Sequence, residues 1–180
     1  TLDDAAGESF DKAAKLLGLG FPGGPVIDEL AKSGNPAFIQ FPRALPQKNN
    51  FNFSYSGLKT AIRTWLIKQN PETLSKNLPD IAASVQQAII EPLVNKTVLY
   101  AKQHKIPYIL LAGGVAANSA LRRQLTESAA KYGIKVFYPS LALCMDNAAM
   151  VAAAAIPKFL AGQYAPLSVN VSSLKGIRQV

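Results

Sequence analysis

Between residues 1 and 18, apolar side chains recur at Leu2, Ala6, Phe10, Ala13 and Leu17, while Asp4, Glu8, Asp11 and Lys15 take the opposite face. That spacing predicts a helix over 1–18, with Thr1 as a candidate N-cap and acids in the first turn. The run Gly18-Leu19-Gly20-Phe21-Pro22-Gly23-Gly24-Pro25 is too rich in glycine and proline to continue it, and a second short helix is expected from Val26 to Lys32. Phe38 to Arg43 and Phe51 to Tyr55 read as strands, the second because Phe51, Phe53 and Tyr55 alternate with Asn52 and Ser54. With Pro46 to Asn50 as the turn, they predict a hairpin. Helices are expected from about Leu58 to Gln69 and from about Asp80 to His104, the latter kinked at Pro92.

The clearest α/β signal follows. Tyr108-Ile109-Leu110-Leu111-Ala112 reads as a buried strand, Gly113-Gly114 as a turn, and Asn118 to Tyr132 as a helix with Leu121 and Leu125 inward and Gly133 closing it. Lys135 to Tyr138 is the next strand. Asp146 to Leu160 is so rich in alanine that, as a helix, it is expected to pack closely against neighbours. The expected fold class is a mixed α/β domain, with a polar tail after about Gly162 and no internal repeat.

Composition narrows the picture. With 49% hydrophobic and 17% charged residues in a chain of 180, a real core is expected, and disorder or a collagen-like repeat is excluded. The single cysteine, Cys144, forms no internal disulfide, and one histidine, His104, builds no His/Cys zinc cluster within this chain. No apolar run reaches the roughly 18 to 20 residues of a membrane span, and Thr1 opens on an acidic stretch unlike a signal sequence, so a reduced cytosolic protein is expected. The net charge of +8 divides unevenly, −3 through Pro42 and +11 from Arg43 onward. A basic body is the footprint that polyanion binding needs, and many simply basic proteins share it.

Four places admit a chemical reading beside an ordinary one. Asp4, Glu8 and Asp11 either offer carboxylates to ligand hydroxyls or form a solvated acidic face. The Phe21-Pro22-Gly23-Gly24-Pro25 loop either lets a ligand approach backbone that carries no Cβ, with Asp28 four residues on, or is a plain helix–helix turn. Strand, Gly113-Gly114, then a helix from Asn118 places N–H groups and an amide where open α/β sheets bind nucleotides, or is a structural turn. It fits neither the G-x-G-x-x-G fingerprint nor the P-loop. Asp146, entering the alanine-rich helix, either presents a carboxylate to a cation or is a helix-start acid. No Cys/His pattern supports Cys144 as a nucleophile.

Taken together, five segments are far more specific. Thr1-Leu2-Asp3-Asp4-Ala5-Ala6-Gly7-Glu8-Ser9-Phe10-Asp11-Lys12, the Phe21–Pro25 loop, Phe53-Ser54-Tyr55-Ser56-Gly57-Leu58-Lys59-Thr60, Ala112-Gly113-Gly114-Val115-Ala116-Ala117-Asn118 and Asp146-Asn147-Ala148-Ala149-Met150 occur in this order. In this the chain resembles the tRNA N6-adenosine threonylcarbamoyltransferase family (TsaD, formerly O-sialoglycoprotein endopeptidase or glycoprotease). The resemblance implies an RNase-H-like lobe of the actin, Hsp70 and sugar-kinase superfamily, over residues 1–165, with 166–180 as a polar tail. It implies transfer of a threonylcarbamoyl group from threonylcarbamoyl-adenylate to the N6 amine of the adenosine beside the anticodon of tRNAs reading codons that begin with A, releasing AMP. Accessory protein subunits are the further partners implied. The family's substrate-contacting positions fall on Asp11, Gly24, Asp28 and Asn118, and its carboxylate metal ligand on Asp146, where an iron or zinc ion would polarise the carbamoyl group.

The family's other metal ligands lie in a His-x-x-x-His arrangement that this chain lacks, and Met145 stands where threonine is commoner. The expectation is therefore the second half of a longer protein, carrying half of an active site and inactive alone. Two alternatives remain: a non-catalytic lobe that binds partner subunits or tRNA, and an ATP-dependent kinase or ATPase of the same superfamily. A zinc endopeptidase has no support, because no His-Glu-x-x-His is present.

Overall fold

The computed structural model describes residues 3–47 and 49–169. The helices are α1 (Ala6–Leu16), α2 (Gly23–Ala31), α3 (Ser56–Leu66), α4 (Pro71–Lys76), α5 (Leu78–Gln103), α6 (Ser119–Ala130) and α7 (Ala148–Leu160). Apolar residues recur along all but α4, which buries no residue and is started by its N-cap Asn70, whose side chain accepts from the Thr73 N–H. Two strands, β1 (Tyr108–Leu110) and β2 (Lys135–Phe137), pair in parallel with Tyr108 opposite Lys135, Ile109 opposite Val136 and Leu110 opposite Phe137. A parallel pair cannot be joined by a tight turn, and α6 is the crossover. The architecture is α/β with a small parallel sheet, as the strand–glycine–helix–strand pattern implied. Among the described residues, no helix is long and apolar enough to cross a membrane.

The chain divides into two compact units, Thr1–Met145 and Asp146–Val180. In the first, α5 is the central element. Ile81, Val85, Ile89 and Ile90 on it are fully buried, together with Phe10 of α1, Ile27 of α2, Ile62 of α3 and Leu121 and Leu125 of α6. Pro92 lies inside α5 and supplies no N–H to the turn before it. Close by, the buried Tyr55 hydroxyl donates to the Ile89 carbonyl at 3.1 Å.

Several expectations need correction. The proposed N-cap, Thr1, lies outside the described residues, and α1 begins at Ala6, with Ala5 extended before it. Asp3 and Asp4 precede the helix, the Asp3 carboxylate accepting from the Ser54 hydroxyl. Among the described residues, no hairpin forms over 38–55. Pro42 and Pro46 lack the N–H that a ladder needs, and the extended backbone bonds to α5 side chains instead. The N–H of Asn35 donates to Asp80 Oδ1 at 2.6 Å, and that of Ile39 to Ser84 Oγ at 3.0 Å. Phe41 is buried against Trp65, and Phe51 meets Tyr100 edge-on at 4.9 Å. β1 is not fully buried: Ile109 is covered while Tyr108 and Leu110 are exposed. A strand buried on both faces needs a layer on each, and among the described residues only one face has one. No residue of α7 is buried, contrary to the expected close packing. Among the described residues, the second unit offers one helix and no second layer for its alanines to meet.

Candidate functional site

Three of the five candidate residues, Asp11, Asp28 and Asn118, accept from backbone N–H groups at helix starts. Asp11, on α1, accepts from the Gly23 N–H at 2.7 Å and so caps α2 from a neighbouring helix. Gly23 has to be glycine: a Cβ there would lie 2.6 Å from Ala14 Cβ and 2.7 Å from the Phe10 carbonyl oxygen. Gly24 is different, since a Cβ would meet nothing within 4 Å. The backbone at Gly24 is open to a ligand.

Asp28, one turn along α2, reaches α6. Its Oδ2 accepts from the Ser119 N–H at 3.0 Å and its Oδ1 from the Ser119 hydroxyl at 2.8 Å. Each oxygen keeps a further lone pair. Asn118 is the N-cap of α6: its Oδ1 accepts from the Leu121 N–H at 2.8 Å, and its Nδ2 donates to Gln86 Oε1 at 2.7 Å. Both amides are buried. Before it comes Gly113 at φ 88°, a conformation that glycine adopts without steric cost, opening a 3-10 turn over Gly114–Ala117. Glycine turn and α6 N-terminus thus lie at the carboxyl end of β1, where helix dipole and backbone N–H groups favour an anion.

Between α2, α5 and α6 lies a cavity of about 390 Å³, lined among others by Asp28, Lys32, Gln86, Ser119, Arg123 and Gln124. Its donors and acceptors suit a polar ligand. A second cavity, about 310 Å³, lies between loop 43–47 and α5 near Pro92 and carries none of the candidate residues. Ser119 and Gln86 went unnoticed in the sequence. Their partners stand 91 and 32 residues away, so no local pattern marks them.

The acidic stretch is no free carboxylate cluster. Asp4 and Glu8 both pair with Lys12, at 2.6 and 2.8 Å, and these contacts raise the Lys12 pKa, the hydrogen bond to Asp4 first. Glu29 pairs with Lys32 and raises its pKa in the same way. The Ser54 hydroxyl lowers the pKa of Asp3.

Asp146 lies in the second unit, exposed and two residues before α7, whose N-cap Asn147 accepts from the Met150 N–H at 2.9 Å. Among the described residues, no three His, Cys, Asp or Glu side chains converge to hold a metal. His104 ends α5, exposed and stacked on Tyr100 at 4.1 Å. The residues present therefore do not by themselves fit an iron or zinc ion.

Fold and site define a class: an α/β protein with two capped helix starts, a glycine turn at the end of a parallel strand, and a polar cavity lined by Asp28 and Ser119. Within that class, the chain belongs to the tRNA N6-adenosine threonylcarbamoyltransferase family, whose model matches residues 1–153. Three curated relatives carry that name. The protein of Moorella thermoacetica is 50% identical over 170 residues, covering 94% of this chain and 50% of the relative. That of Thermotoga neapolitana is 49% identical over 170 residues, covering 94% and 51%. That of Chlorobium phaeovibrioides is 52% identical over 161 residues, covering 85% and 47%. The chain spans about half the length of the curated relatives it matches.

Proposed function

We propose that this chain is the carboxyl-terminal lobe of a threonylcarbamoyltransferase, an RNase-H-like lobe of the actin, Hsp70 and sugar-kinase type over residues 1–165, with 166–180 as a polar tail. It holds threonylcarbamoyl-adenylate in the cytoplasm while accessory subunits and tRNA complete the assembly. The tRNA adenosine amine attacks the carbamoyl carbon, the bond to the phosphate oxygen breaks, and AMP leaves. The observation that carries this reading is the gathering of Asp11, Asp28 and Asn118 at the starts of α2 and α6, in a chain of this family.

The chain's own residues position the substrate. The Gly113–Gly114 turn at the carboxyl end of β1 offers its backbone to the phosphate, while Asn118 caps α6 beside it and so holds that turn's exit in place. The free lone pairs of Asp28 and Asp11 accept from ribose hydroxyls or the adenine amine, and the open backbone at Gly24 lets the nucleoside approach. Asp146 would give one carboxylate to an iron or zinc ion that the described residues do not hold by themselves, and such an ion would supply Lewis acidity.

The test joins this chain to the amino-terminal half of the Moorella thermoacetica relative and supplies ATP, threonine, bicarbonate, the adenylate-forming enzyme and accessory subunits. Labelled threonine should reach tRNA, and Asp146→Ala should abolish the label. Full labelling in that variant removes Asp146 from the metal role. No labelling in the unsubstituted hybrid, when the intact relative labels under the same conditions, refutes the transfer. A non-catalytic lobe is the second reading, favoured by one observation: Asp28 and Asn118 are already engaged in holding the start of α6. Calorimetry with AMP separates the two, since a pure scaffold gives no heat.

A further inference from the structure

We propose that Arg122 is a positioning residue that couples the Gly113–Asn118 turn to the segment leading into Asp146; the inference rests on the nucleotide-holding reading of that turn. Arg122 stands on α6, yet its guanidinium works away from that helix. Its Nε donates to the Ala116 carbonyl, at the end of the glycine turn. Its Nη2 donates to the Pro139 carbonyl at 2.9 Å and to Cys144 Sγ at 3.0 Å. The guanidinium carbon lies 4.5 Å from the centroid of the Tyr138 ring. Among the described residues it forms no ion pair.

An arginine on a helix surface ordinarily extends into water. This one is half-buried and bridges two irregular segments. Residues 138–145 hold only one short 3-10 turn, Leu141–Leu143, whose own bonds are local, from Leu143 to Ser140 and from Cys144 to Leu141. The guanidinium is a rigid planar fork, so a bond at Nε to one segment and bonds at Nη2 to the other fix their spacing. Lysine cannot do this, because its donors sit on a single nitrogen at the end of a flexible stem. Cys144 lies two residues before Asp146 in the chain. A nucleotide that orders the turn at Asn118 is therefore felt at Cys144 through Arg122.

Cys144, the sole cysteine and only 3% exposed, is the reporter. The experiment measures its labelling by a disulfide reagent in this 180-residue chain, with and without saturating AMP, in the wild type, Arg122→Lys and Arg122→Gln. AMP binding is measured separately by calorimetry. In the wild type AMP should slow labelling by at least about fivefold, the lower end of ordinary coupling between sites. Both variants should bind AMP within about threefold of wild type, label faster without it, and lose the AMP-dependent slowing. A merely structural role would raise basal labelling and leave the ratio with and without AMP intact, and that result overturns the proposal. So does AMP binding that leaves wild-type labelling unchanged. Absence of AMP heat in the wild type refutes the nucleotide reading itself and takes the coupling with it. Trp65 fluorescence on urea titration checks folding, and where Arg122→Gln unfolds, Arg122→Lys carries the comparison.

Discussion

Asp28 and Asn118 each do two things at once. Asp28 ties α2 to α6 through both Ser119 donors, and Asn118 ties α6 to the buried amide of Gln86. Residues 91 and 32 apart in the chain are joined, so the sequence shows the candidate residues and hides what they hold. Tyr55 was legible only as one apolar member of an alternating run. In the fold its hydroxyl is buried and donates to the Ile89 carbonyl, and burial raises its pKa above the ordinary tyrosine value. The native state thus keeps a proton that the unfolded chain releases above about pH 10. The stabilisation is complete below that pH and is lost as pH rises through the native value. Tyr55→Phe should cost about 1 kcal/mol at neutral pH. Its urea midpoint should then fall less steeply than that of the wild type above pH 10, and parallel curves would contradict the assignment.

At the scale of elements, the α1–α2 crossing gives a sharp contrast between adjacent glycines. Gly23→Ala drives a methyl into Ala14 and the Phe10 carbonyl, and should cost about 1 to 3 kcal/mol as overpacking. Gly24→Ala meets nothing, should leave the urea midpoint unchanged or raise it, and should weaken AMP binding by at least about tenfold if ligand approaches this backbone. Unchanged AMP affinity in Gly24→Ala would count against that approach. The helices were legible because their apolar stripes are long. The hairpin was misread for a related reason: a short period-2 run marks extended backbone but not its partner. At 35–39 and at Asn52 the partners are Asp80, Ser84 and Lys96 on α5, between 44 and 45 residues away. Only the assembled fold shows them.

Across the whole molecule, the charge split takes a structural meaning. All six acids before Arg43 have internal partners: Ser54, Lys12 for two of them, the Gly23 N–H, Ser119 and Lys32. The acidic stretch is a set of internal ties, which composition alone cannot distinguish from an acidic surface. Apolar exposure is the other large-scale feature. Tyr108, Leu110 and Phe137 of the sheet are exposed in the first unit, and Ile156, Phe159 and Leu160 of α7 in the second, in a chain about half as long as its relatives. Surfaces of this kind associate. Sedimentation of the isolated chain should show a concentration-dependent rise in mass, reduced by Phe159→Glu with Leu160→Glu; a strictly monomeric chain would refute this. The capped helix starts carry a last consequence, for how such a lobe ages once chemistry no longer constrains it. Asp11, Asp28 and Asn118 would persist in an inactive descendant, because the fold needs them. Gly24 has no such duty, and a helix gains by exchanging it for alanine, so its identity is the position that records whether a ligand is still being served.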